Sequence, residues 1–141
     1  MQRGVTLPEL ILVLAILGLL TGIAVPRFQR LADSLAVQRA ALEVVSAHNR
    51  ARMSAVLQSR VLELTIRADT LAIRVPGAPA YLWHAVGPAV DGVALTGPTR
   101  ALTFSPVGMT MGLSNASYHL SRGAATRSVI VSRLGRVRVA P

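Results

Sequence analysis

A carboxylate at the head of a membrane-length apolar run constrains this chain more than any other feature. From Leu10 to Val25 the sequence carries no charge, and Glu9 stands immediately before it. Val5 to Val25 is 21 residues, ~31 Å as a helix at ~1.5 Å per residue, about one hydrocarbon thickness. An acid inside such a segment costs ~2.5–3.5 kcal/mol on insertion scales, so it needs a partner. The amine exposed by a cut after Gly4, on the same chain or a neighbour, would supply one. The spacing of Gly4, Glu9 and the run therefore predicts a subunit that is clipped, held in a membrane and then assembled.

Two plainer readings fit less well. A cleaved secretory signal has a charged leader, an apolar stretch of about 7–15 residues and a small-residue cut after it. Here the leader is Met1-Gln2-Arg3-Gly4, and the run is too long and contains an acid. A simple one-pass anchor leaves Glu9 without a purpose. Arg27, Arg30 and Arg39 follow the run, while Arg3 precedes it. Taken alone, the positive-inside rule would put the C-terminal side in the cytoplasm.

At 141 residues the chain is too short for an anchor and two further domains. With the first 60 or so residues in helix, the remainder suffices for one small core. Cysteine is absent, which excludes disulfides, thiolate nucleophiles and Cys-based metal sites. All 15 cationic side chains are arginine. GC-rich codon usage explains such a bias, and so does phosphate recognition by the planar guanidinium. No acid follows Asp91, whereas Arg100, Arg122, Arg127, Arg133, Arg136 and Arg138 all do.

Pro26 is expected to start a second helical stretch reaching about Arg60. Phe28, Leu31, Leu35, Leu42, Val45 and Val56 form one apolar stripe, and Val37, Ala41, Val44, Ala51 and Ala55 a second. Gly18, Thr21, Gly22 and Pro26 are weak helix formers where the helix could loosen. Gly18 and Gly22 also make a G-x-x-x-G pair that admits close helix approach. Beyond Arg60 the period becomes two. Leu62, Leu64 and Ile66, then Leu71, Ile73 and Val75, predict a hairpin turning at Ala68-Asp69. Further strands are expected at Tyr81–Val86, near Val93–Leu95, at Leu102 and Phe104, at Ser117–Leu120, at Val129–Ser132 and at Arg136–Val139. Gly- and Pro-rich connections separate them. A long helix followed by antiparallel strands is an α+β layout, with the helix covering a sheet face.

The N-terminal pattern of Gly4, Thr6-Leu7, Glu9, the run Leu10 to Val25 and Pro26-Arg27-Phe28 resembles type IV prepilins and pseudopilins. The resemblance implies a pilin fold, with a long N-terminal helix on a small antiparallel sheet domain. It also implies cleavage by a prepilin peptidase between Gly4 and Val5, methylation of Val5, and a docking role for Glu9 in assembly. Val5 stands where phenylalanine is usual, and Pro8 where an aliphatic residue is common. The division expected is a leader at 1–4, a membrane and assembly helix at 5–26, its continuation at 27–60 and a β-rich domain at 61–141. The domain would lie on the periplasmic side of the inner membrane, against the charge rule. Leu102-Thr103-Phe104-Ser105-Pro106-x-Gly108, Ser128 to Ser132 and Gly135-Arg136-Val137-Arg138 look like the GspH/FimT family of minor pseudopilins and minor pilins.

No catalytic constellation stands out. His48, His84 and His119 lack ligand spacing with one another or with an acid. His48 reads as a solvated helix residue beside Asn49 and Arg50, and His84 beside Trp83 as packing or surface. No serine sits in a G-x-S-x-G elbow. An enzyme, a metal, a cofactor and a small-molecule substrate are therefore not expected. Gly135-Arg136-Val137-Arg138 is the sharper candidate. Residues two apart on a strand share a side, so Arg136 and Arg138 project together while Val137 and Val139 face the core. Arg133, and Arg127 on the partner strand, would widen the patch. In FimT-like proteins such a motif is associated with DNA capture, whereas exposed edge arginines also deter strand pairing. The expected function is a minor pilin or pseudopilin in a type II secretion pseudopilus or type IV pilus tip complex. Its partners would be other pilin subunits. The alternative is a DNA-binding minor pilin, with Arg133, Arg136 and Arg138 as contacts.

Overall fold

The computed structural model describes residues 6–112 and 115–141. One helix, α1, runs from Leu7 to Leu57 without interruption. Pro26 lies inside it rather than at the start of a new helix, although a proline leaves the carbonyl four residues back, on Gly22, without its amide partner. The Thr21 hydroxyl donates to the Leu17 carbonyl at 2.9 Å and the Gly18 carbonyl at 3.0 Å. A hydroxyl satisfied in this way can sit in an apolar helix. The helix ends where the Arg60 amide reaches the Ala55 carbonyl and Ser59 turns to φ 47°, a left-handed closure more often made by glycine. Two compact units divide within α1, one up to Ala32 and one from Asp33 to Pro141.

The second unit holds the core. Its strands are β1 (Leu62–Ile66), β2 (Thr70–Arg74), β3 (Tyr81–Val86), β4 (Ala94–Thr96), β5 (Leu102–Phe104), β6 (Thr110–Met111), β7 (Ala116–Arg122), β8 (Ala125–Val131) and β9 (Val137–Ala140). They form two antiparallel sheets rather than one, ordered β3-β2-β1-β5-β6 and β4-β7-β8-β9. The Gly- and Pro-rich stretch after β3 carries the chain from the first sheet to the second. It passes through a 3-10 turn at Pro88–Asp91, and β4 then pairs with β7. Leu62, Leu64 and Ile66 point inward from β1 as their alternation predicts.

Against these strands the helix lays a face of small residues. Ala36, Val37, Ala40, Ala41, Val44, Ala47, Ala51 and Ala55 are buried and share one core with Leu62, Leu64, Phe104, Tyr118, Leu120, Val129 and Val131. Alanines at this spacing let helix and sheet backbones approach closely while the strands supply the bulk. The second predicted stripe is thus the buried one. The first is exposed at Phe28, Leu31, Leu35, Leu42 and Val56, while its Val45 is partly buried against the core. Pattern alone does not separate two apolar stripes; the smaller residues pack where space is least.

His48 contradicts its sequence reading, for it is fully buried. It occupies the same helix face as Val44 and Ala51, and its ring meets Phe104 edge-on with centroids 5.1 Å apart. Burial pushes its pKa below the ordinary imidazole value; the Asn49 side chain opposes that shift, and the nearby Arg52 charge adds to it. Its Nε2 has no hydrogen-bond partner. His84 lies exposed on β3, near Tyr81.

Candidate functional site

The N-terminal segment and the C-terminal hairpin are separate candidates, one in each unit. Gly4 and Val5 lie outside the described residues. From Thr6 onward, Glu9 occupies the first helical turn, and its carboxylate accepts from the Thr6 amide at 3.4 Å. An acid here complements the positive end of the helix dipole. All side chains from Thr6 to Ala32 are exposed. The run reaches a mean hydropathy of 2.3 over an 18-residue window, with none of that window buried. It is long and apolar enough, by length and composition, to cross a membrane.

In the hairpin, Ser132–Gly135 forms the turn between β8 and β9, closed by the Gly135 amide on the Ser132 carbonyl at 3.0 Å. Gly135 has φ 71°, and a β-carbon there would sit 2.8 Å from the Gly108 carbonyl oxygen. Only glycine accommodates both the left-handed backbone and that approach. Arg52 on α1 donates through Nε to the Gly108 carbonyl at 2.9 Å. The Thr110 hydroxyl donates to the Arg133 carbonyl at 2.7 Å. The turn carrying Arg133 is therefore braced by β6, and α1 holds the loop ahead of that strand. Sequence reading did not single out Arg52 or Thr110, because their role depends on contacts far apart along the chain.

Register fixes which side each arginine takes. Arg138 pairs with Ile130, while Val137 and Val139 pair with the buried Val131 and Val129. Val137 packs against the core, whereas Val139, on the edge strand, is 42% exposed. The Ser132 amide donates to the Arg136 carbonyl. Arg133, Arg136 and Arg138 line one groove of about 560 Å³ together with Ile130, Ser132, Leu134 and Val137. Arg127 does not join them. It pairs with the inward-facing Leu120, and its guanidinium donates to the Thr126 carbonyl at 2.9 Å. It sits one residue out of step with Ile130, which is enough to put it on the other face.

The acids of this unit bear on the groove's charge. Asp33, Glu63 and Asp91 pair with Arg122, Arg74 and Arg39. Among the described residues, Arg133, Arg136 and Arg138 form no ion pair. No group of three or more His, Asp or Glu side chains suited to a metal ion occurs among the described residues.

Residues 1–25 match the family described as the prokaryotic N-terminal methylation motif. The pilin-like protein PilA1 of Thermus thermophilus is 29% identical to this chain, over 98% of each. The fold is similar to that of the type IV minor pilin FimU of Pseudomonas aeruginosa. In one crystal form the TM-score is 0.64 at 21% identity, covering 74% of this chain and 88% of that one. A second crystal form gives 0.61 at 21% identity, covering 74% and 92%. The long N-terminal helix and antiparallel sheets are thus the pilin fold.

Proposed function

We propose, for a chain that belongs to the type IV pilin and pseudopilin superfamily, the role of a minor-pilin-like structural subunit of a type IV pilus system, without catalytic activity. The observation that carries this reading is the uncovered apolar half of α1 with Glu9 in its first turn, joined to a folded pilin domain. A prepilin peptidase cuts after Gly4 and methylates Val5. The run then holds the subunit in the inner membrane, with the β-rich domain on the periplasmic side. Glu9 pairs with a neighbouring subunit's terminal amine as the filament forms. At the finer level the C-terminal blocks favour a subunit of GspH/FimT type in a pilus tip or a secretion pseudopilus.

Glu9→Ala tests the assembly step. Membrane insertion should persist, because the substitution removes a charge from an apolar segment. Recovery in sheared filaments, or with partner subunits after mild detergent extraction, should drop sharply. Wild-type recovery of the variant would remove Glu9 from assembly. A second reading, DNA capture, is favoured by the three arginines on one groove with no acid beside them, a charge pattern suited to phosphates.

A further inference from the structure

The groove beside β9 is more than a basic patch. Ile130, Leu134 and Val137 line it between Arg133, Arg136 and Arg138, and Leu134 is 61% exposed. A phosphodiester backbone would use the guanidinium groups and leave this apolar lining idle. An extended peptide that alternates carboxylates with apolar side chains would use both.

We propose that this groove docks an acidic, apolar-bearing segment of a partner protein. Its carboxylates pair with Arg133, Arg136 and Arg138, and an apolar side chain enters between Ile130 and Leu134.

The partner is a different protein rather than a second copy. This chain carries 6 acids against 15 arginines. Three of those acids already pair with arginines of their own unit, and Glu9 belongs to the apolar segment. A copy would bring mostly like charge to the groove, so the occupant must supply its own carboxylates. The inference rests on the subunit reading only in that neighbouring proteins of an assembly are the partners within reach.

The test uses the full chain in detergent and short synthetic peptides, one alternating aspartate with leucine and one alternating aspartate with serine. Both carry the same number of carboxylates. The leucine peptide should bind more tightly. Arg136→Gln with Arg138→Gln should weaken it by roughly an order of magnitude, as losing two solvent-exposed ion pairs of up to ~1 kcal/mol each would. Leu134→Ser should weaken the leucine peptide and leave the serine peptide unchanged. Circular dichroism should show both variants folded, since the altered side chains are exposed.

Equal binding of the two peptides would overturn the proposal, as would indifference to Leu134→Ser. Binding of duplex DNA alone would also overturn it, with log affinity falling by ~0.9 per phosphate contact against log salt, and would give the groove to nucleic acid. Mass spectrometry of the same preparation reads the subunit proposal independently. A chain cleaved after Gly4 that binds neither peptide sinks the docking site alone. An uncleaved chain that binds the leucine peptide retains the docking site and sinks only the filament role.

Discussion

A single ring, that of His48, carries the clearest physical liability in this chain. It is buried with Nε2 unpartnered, so its neutral form is tolerated and its charged form is costly. The folded pKa lies below the ordinary value of 6.5, and the unfolded chain therefore binds the proton first. Stability is then independent of this group above that value and falls as pH drops below it, down to the depressed folded pKa. Urea unfolding of the Asp33–Pro141 unit should show a lower midpoint at pH 5 than at pH 7, and His48→Leu should flatten most of that difference. An equal pH dependence in wild type and variant would mean that other groups carry it. Polar neighbours in sequence, Ser46, Asn49 and Arg50, made His48 look solvated. Its place four residues after Val44 and three before Ala51 puts it on the second stripe, and only the packing shows that this stripe, not the first, is the buried one.

At the scale of elements, α1 has two apolar faces and the domain uses one. The exposed face keeps Leu35 and Leu42 in the folded unit, and Phe28 and Leu31 continue it toward the N-terminus. In an assembly these side chains would meet the helices of neighbouring subunits, removing apolar area from water at ~25 cal/mol per Å². Leu35→Asp with Leu42→Asp should leave unfolding of the isolated unit within about 1 kcal/mol of wild type, because exposed substitutions are usually that mild. Recovery of the full chain in filaments should fall. A large loss of stability in the isolated unit would show that the face is covered by this chain itself.

The strands were legible where alternation was clear, as in β1 and β2, and in the β8–β9 hairpin. β6 was not, since the two residues Thr110–Met111 are too short to show a period. Division into two sheets was hidden as well, because β4 finds its partner β7 by pairing across a long separation. For the basic site, the sequence showed that Arg136 and Arg138 share a side. It could not show that Arg127 points away, a matter of register, or that Ile130 and Leu134 line the same groove.

For the whole molecule, one end of the chain bears the central claim. Under the proposed function the subunit is cut after Gly4, and the new amine pairs with the carboxylate of Glu9 at the head of the apolar run. The motif match to residues 1–25 and the pilin fold of the rest are consistent with such a life cycle. Mass spectrometry of the protein extracted from membranes or sheared filaments tests the claim most directly. The N-terminal peptide should begin at Val5 and carry one added methyl group. An intact Met1-to-Gly4 leader on protein recovered from assembled filaments would contradict the account.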